Sequence, residues 1–114
     1  MKKAVIEAEA SLVTFIQIWE VHSAENQNKW LEIMHRRIAL LTEQTGFVSM
    51  NLHVSIDGKR TAVYAQWTTE ELLSKAVNLP EAKQAHNEMA QYGAAAGALY
   101  RVDRVYLPNE RTKG

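Results

Sequence analysis

Residues 46–67 decide the fold, and they read GFVSMNLHVSIDGKRTAVYAQW. The segment contains two runs rich in β-branched and aromatic residues, Phe47 to Ile56 and Arg60 to Trp67, with Asp57-Gly58 between them. An Asp-Gly pair between such runs is a strong signal for a β-hairpin, because both turn positions tolerate a positive φ. We therefore predict a hairpin in which Asp57 and Gly58 are the two turn residues and Ile56 pairs with Lys59.

The hairpin register predicts which side chains share a face of the sheet. It pairs Val48 with Trp67, Met50 with Ala65 and Leu52 with Val63, and this apolar face should lie under helices, because side chains alternate across a strand. The other face is half polar, and no remaining segment covers it. An antiparallel sheet can leave such a face in water, but we favour packing against a second copy with two-fold symmetry. We predict a homodimer interface at Phe47, His53, Tyr64 and Gln66.

The segments on either side of the hairpin complete a β-α-β-β-α-β order. Leu12 to Val21 has the composition of a strand, and Ser23 is a suitable N-cap for a long amphipathic helix that ends near Gly46. On this helix, His35 to Arg37 are expected on the solvated side. The order predicts an α+β, ferredoxin-like fold with a four-stranded antiparallel sheet.

The second half of the chain supplies two shorter helices and the last strand. Thr68 to Glu71 resembles a capping box that begins a helix through Val77, and Pro80 suits the first turn of the next helix. Gly93 to Gly97 is a small-residue passage, and the alternation from Leu99 to Leu107 predicts the final strand.

Composition restricts the classes of function. The chain has 114 residues, of which 46% are hydrophobic and 23% charged, as expected for one globular domain. We divide it into a leader (residues 1–11), a domain (residues 12–108) and a C-terminal tail (residues 109–114). The absence of cysteine excludes disulfides, thiolate metal sites and cysteine nucleophiles.

Charge and hydropathy predict where the protein works. The formal net charge is zero, without the basic surplus that is typical of nucleic-acid binding. No run is long and apolar enough for a membrane helix, and Glu7 and Glu9 interrupt the apolar stretch that a signal peptide would need. We expect a cytoplasmic protein with neither nucleic acid nor membrane as a partner.

The hairpin also resembles a known family. Gly46-Phe47-Val48-Ser49, His53-Val54-Ser55, Asp57-Gly58 and Tyr64-Ala65-Gln66-Trp67 are similar to the motifs of the antibiotic biosynthesis monooxygenase (ABM) family. The resemblance extends from about Leu12 to Leu107. It implies a ferredoxin-like domain that forms a dimeric α/β barrel, in agreement with the element order above.

The resemblance implies an oxygenase that uses no metal, flavin or haem and oxidises a small aromatic or quinol-type substrate with dioxygen. Such a reaction needs an apolar pocket between helices and sheet and a group that accepts a proton. We predict Trp67 as the residue that orients the substrate and His86 as the proton acceptor, although either could instead be a core residue. The predicted pocket residues are Met34, Leu52, Val63, Met89 and Tyr92.

Two alternatives remain open. Val63 and Leu73 stand where the resemblance implies an asparagine and a tyrosine, and residues 80–92 contain no arginine. These differences favour a non-catalytic small-molecule-binding or stress-response module of the same fold. Haem degradation is disfavoured, because that branch of the superfold needs an asparagine on the first strand and a tryptophan about ten residues before His86, where this chain has Gln17 and Ala76.

Overall fold

The computed structural model describes residues 11–108, which contain four strands and three helices. The predicted leader, apart from Ser11, and the predicted tail lie outside the described residues. In chain order the elements are β1 (Val13–Glu20), α1 (Ala24–Leu41), β2 (Phe47–Val54), β3 (Arg60–Trp67), α2 (Glu70–Val77), α3 (Pro80–Met89) and β4 (Ala94–Tyr100). The strands form one antiparallel sheet in the order β2-β3-β1-β4. The predicted α+β, ferredoxin-like fold is confirmed.

The helices begin where the sequence predicts. Ser23 Oγ accepts a hydrogen bond from the backbone N–H of Asn26 at 3.1 Å, and Thr69 Oγ1 accepts one from Leu72 at the same distance. Each side chain satisfies a backbone donor that the first helical turn leaves unpaired. The predicted end of α1 is wrong, because the helix stops at Leu41 and Gly46, with φ +95°, instead forms the turn into β2.

The hairpin register is confirmed from Ser49 onward and wrong at its start. Met50 pairs with Ala65 and Leu52 pairs with Val63, but a β-bulge after Phe47 makes Phe47, not Val48, the partner of Trp67. A bulge inserts one residue and reverses the face on which the preceding side chains lie. Phe47 therefore lies on the helix-covered face, where its ring packs edge-to-face on Trp67 with centroids 5.4 Å apart. Its predicted place on the opposite face is wrong.

The connection between β2 and β3 is a longer loop than the predicted two-residue turn. The backbone N–H of Ser55 donates to the carbonyl of Arg60 at 3.0 Å, which closes a loop over residues 56–59. Gly58 has φ +78° but Asp57 does not have a positive φ; its carboxylate accepts from Ser55 Oγ and the Lys59 N–H. The predicted two-residue turn and the observed four-residue loop both pair Ser55 with Arg60, so the longer loop does not change the register of β2 and β3.

The last strand lies five residues earlier than predicted. β4 covers Ala94–Tyr100, and residues 101–108 have no regular structure. Its pairing with β1 needs a close approach, because a Cβ on Gly93 would lie 2.5 Å from the carbonyl oxygen of Glu20. Alanine and glycine have low strand propensity, so the sequence of this segment gives no indication of a strand.

The core lies between one face of the sheet and the three helices. Its largest fully buried hydrophobic side chains are Trp19, Trp30, Trp67, Met34, Leu41, Met89, Val21 and Val63. The other sheet face, called here the open face, carries the even-numbered residues of β1 and β3. Ile18 on this face is 47% exposed, whereas Thr14 and Gln66 are buried and Gln66 Nε2 donates to Thr14 Oγ1 at 3.0 Å.

Candidate functional site

A cavity of about 460 Å³ lies between the helices and the β1–β4 half of the sheet. This volume falls within the range of about 300–1,000 Å³ that is common for small-molecule sites. Its wall is apolar at Phe15, Leu73, Val77 and Leu99. The polar residues that line it are Gln17, Arg37, Glu70, Ser74, Lys83, His86 and Asn87.

The small residues of β4 explain why the cavity lies here. Gln17 is the Cα partner of Gly97, and Phe15 is the partner of Leu99. A Cβ on Gly97 would lie 3.1 Å from both Cβ and Cγ of Gln17, which is tighter than an ordinary contact. The missing side chain therefore leaves Gln17 room on the helix-covered face. Close packing fills the β2–β3 half of this face instead.

Gln17 has a defined orientation in the cavity wall. The indole N–H of Trp19 donates to Gln17 Oε1 at 2.8 Å. An indole nitrogen can only donate, so this bond identifies which end of the amide is oxygen. The Gln17 NH₂ group is then available as a hydrogen-bond donor, and a carbonyl or oxyanion of a ligand is its natural partner.

His86 is a titratable group of the cavity that can act as a base near neutral pH. Its ring packs edge-on against Trp19, with centroids 5.4 Å apart. Burial, and secondarily the positive charge of Arg37, lowers the pKa of His86 below its ordinary value. Both causes favour the neutral imidazole. His86 is therefore free to accept a proton near neutral pH.

Arg37 belongs to the site, and its predicted place on the solvated side of the helix is wrong. Its Nε–H donates to the carbonyl of Ala82 at 3.2 Å, so the side chain lies between α1 and α3. The sequence carried the signal, because Arg37 is three residues after Met34 and four after Ile33, on the buried face of the helix. Burial lowers the pKa of Arg37 from its usual high value.

Lys83 also lines the cavity, three residues before His86 and four before Asn87, spacings at which side chains share one side of a helix. Glu70, the first residue of α2, is exposed at the rim. The sequence could also have identified Gln17. It is the polar residue in the alternation Val13, Phe15, Gln17 and Trp19, whose other members are apolar and lie on the core side of β1.

The cavity contains His86 but not the other predicted site residues. Trp67, Met34, Val63 and Met89 are at most 2% exposed and are part of the core cluster. Leu52 and Tyr92 are half-buried against the same cluster. None of the six lines the cavity, because it opens beside β4, whereas the prediction placed it beside β2 and β3.

The predicted interface residues lie in three different settings. His53 is exposed and Tyr64 is half-buried, both on the open face. Gln66 is on that face but is fully buried within the single chain. Phe47 lies on the opposite side, as described above.

Across residues 11–108, no three His, Asp or Glu side chains are arranged to hold a metal ion. Over the same range, no helix has the length and hydropathy needed to cross a membrane.

Comparison with known proteins places the fold. No family model and no curated protein matches the chain. Solved structures do match, and the chain has the fold of the ABM-domain monooxygenases.

Three of these structures illustrate the similarity. SnoaB, a cofactor-independent oxygenase from Streptomyces nogalater, is 24% identical with a TM-score of 0.77, covering 88% of this chain and all of SnoaB. The monooxygenase ActVA-Orf6 of Streptomyces coelicolor, solved with the ligand nanaomycin D, is 21% identical with a TM-score of 0.73, covering 88% of this chain and 94% of that one. A candidate antibiotic biosynthesis monooxygenase from Nitrosomonas europaea is 13% identical with a TM-score of 0.74, covering 84% and 94%.

Proposed function

We propose that this protein is a cofactor-independent monooxygenase that oxidises a small aromatic substrate of the phenol or anthrone type with dioxygen. The observation that carries the proposal is His86, a histidine with a lowered pKa in a cavity whose wall is largely apolar. The fold shared with SnoaB and ActVA-Orf6 supports the same class of reaction. The apolar wall can pack against an aromatic ring, and His86 can remove the acidic proton of the substrate.

The proposed reaction needs only the substrate, dioxygen and a base. His86 accepts the acidic proton of the substrate, and the resulting carbanion or phenolate gives an electron to dioxygen. The two radicals combine to form a C–O bond, and the peroxide takes up a proton. Loss of water from this hydroperoxide converts a ring CH₂ into a ketone. Overall, the substrate and one O₂ yield the quinone and one H₂O.

Gln17 takes the orienting role in this proposal. Its NH₂ group can donate to the substrate oxygen that gains charge when the proton leaves, and Trp19 already holds the amide in position. Trp67, predicted for this role from the sequence, is buried beside Phe47 and does not line the cavity.

Oxygen uptake tests the proposal. The purified protein should consume dioxygen in the presence of anthrones or hydroquinones, and His86→Ala should lower turnover by about 10²- to 10⁴-fold, as expected for loss of a general base. His35→Ala is a matched control, because His35 is exposed on α1 and does not line the cavity. Equal rates in His86→Ala and the wild type would remove His86 from the reaction.

A second candidate is a binding module without turnover. The observation that favours it is Leu73, which forms part of the cavity wall at the position where the resemblance implies a tyrosine. With leucine in place of tyrosine, the cavity wall has no hydroxyl at this position to transfer a proton. Binding of aromatic ligands without oxygen uptake for any of the oxidisable substrates would support this candidate.

We also propose that two copies associate through the open face. Its support is the apolar surface on a central strand, where Ile18 is 47% exposed, together with the half-buried Tyr64 on the neighbouring strand. A formal net charge of zero offers little repulsion between two copies. Light scattering at micromolar concentration should give twice the 12.9 kDa mass of the chain.

A further inference from the structure

We propose that Arg37, assisted by Lys83, binds a carboxylate on the substrate, so that the cavity prefers an aromatic substrate that carries a carboxylate over a neutral one. This inference rests on the proposed function only in placing an aromatic ring against the apolar wall. It adds a substrate class, and it assigns a specificity role to α1.

The first support is that Arg37 has no charged partner among residues 11–108. The described residues contain two ion pairs, Arg36 with Glu88 and Arg60 with Glu20, and both use exposed arginines. Arg37 is more buried than either and lies within 4 Å of no carboxylate in the described part of the chain. A partly buried, unpaired cation is costly. An anion bound in the cavity would remove that cost.

The second support is the geometry of the guanidinium. Its Nε–H is bonded to the carbonyl of Ala82, which holds the group against α3. The terminal NH₂ groups make no hydrogen bond to the described residues, and Arg37 lines the cavity. The planar end of a guanidinium matches the two oxygens of a carboxylate. The fixed side chain therefore presents a free fork to the ligand.

The charges of the cavity favour an anion that exists before binding. With His86 neutral, the lining carries two positive charges, Arg37 and Lys83, and one negative charge, the exposed Glu70. A phenol is uncharged at neutral pH, as the tyrosine pKa of about 10 indicates, whereas a carboxylic acid is ionised. Only the carboxylate can compensate Arg37 when the ligand enters.

Isothermal titration calorimetry with three probes tests the inference: 1-naphthoic acid, its methyl ester and 1-naphthol. We expect the wild type to bind the acid about 10- to 100-fold more tightly than the ester, as for a charge-assisted hydrogen bond. Arg37→Gln should abolish this preference while leaving ester binding unchanged, which also shows that the cavity is intact. Lys83→Gln should reduce the preference only several-fold, since Lys83 is exposed.

Arg36→Gln is the matched control. It removes the same charge from the adjacent position, but Arg36 points to Glu88 at 3.0 Å and does not line the cavity. Its preference for the acid should equal that of the wild type. The acid and the ester have no phenolic O–H, and 1-naphthol is titrated without dioxygen, so the result is independent of whether the protein turns over dioxygen.

Four results would overturn the inference. They are failure of the acid to bind, equal affinity for acid and ester, an equal loss of preference in Arg36→Gln and Arg37→Gln, and a dependence of 1-naphthol binding on Arg37 as strong as that of the acid. The last result would assign Arg37 to a phenolate formed on the ring.

Discussion

Ile18 offers the sharpest test of the proposed dimer. It lies on β1, one of the two central strands, and its Cα partners on either side are Ala62 and Ala96. These small neighbours leave the isoleucine raised above the open face, with 47% of its surface exposed. If two copies pack through this face, the two-fold axis brings both Ile18 side chains into the interface. Ile18→Ala should therefore weaken association without disturbing the core.

The magnitude follows from the exposed fraction. Burying an isoleucine side chain completely contributes about 1.5–3 kcal/mol. Since about half of this surface is still exposed in the single chain, each copy contributes roughly 0.7–1.5 kcal/mol to association. The two copies together give roughly 1.5–3 kcal/mol, so Ile18→Ala should raise the dimer dissociation constant by about 10- to 100-fold.

Sedimentation equilibrium over a concentration series measures this constant directly. Ile56→Ala is the control, because Ile56 is fully exposed in the loop between β2 and β3 and lies beyond the paired strands. Its dissociation constant should match that of the wild type. A dimer that Ile18→Ala leaves equally tight would mean that the copies meet elsewhere, and a monomeric wild type would refute the dimer itself.

Three further expectations concern the core and the cavity. Trp67→Ala should lower the free energy of unfolding in urea by about 3–5 kcal/mol. The milder Trp67→Phe should leave the affinity for 1-naphthoic acid unchanged, and weaker binding would show that Trp67 contributes to the binding site. Gly97→Ala should push Gln17 away from the Trp19 indole, because the new Cβ would lie 3.1 Å from its Cβ and Cγ, and an unshifted Trp19 indole resonance in NMR spectra would contradict this. The pKa of His86 is lowered in the folded state, so the unfolded chain binds the proton more readily and the free energy of unfolding should fall as the pH drops below about 6.5. Urea denaturation of His86→Gln should show a smaller fall over the same pH range. Equal falls in the variant and the wild type would contradict a lowered pKa of His86.

The element order and most of the hairpin register could be predicted from the sequence, because both depend on local patterns. Ser23, Thr69 and Pro80 mark helix starts through backbone chemistry that acts within a few residues. The bulge after Phe47 has no comparable signal. It depends on how the ring of Phe47 reaches Trp67 across the pair, which is a tertiary contact.

The cavity differs in position from the predicted pocket, chiefly because of the last strand. The segment Gly93 to Gly97 carries no strand pattern, so the last strand was placed five residues late. A strand of small residues beside Gln17 is also what opens the cavity, which is why the pocket was expected beside Trp67 instead. The glycines and alanines of this segment leave room for the cavity because their side chains are small, and for the same reason they show no alternation of polar and apolar residues that would predict a strand.

The positions of Arg37 and His86 lead to a last prediction. The Arg37 charge contributes to lowering the pKa of His86, so an anion bound at Arg37 should cancel that contribution. The base would then hold a proton more strongly when the substrate is present than when the cavity is empty. An NMR titration of the His86 ring should show its pKa rising on addition of 1-naphthoic acid but not of the methyl ester. In Arg37→Gln the pKa of His86 should start higher than in the wild type and should not respond to the acid. A wild-type pKa that is the same with the acid and with the ester would show that the ligand anion does not reach Arg37.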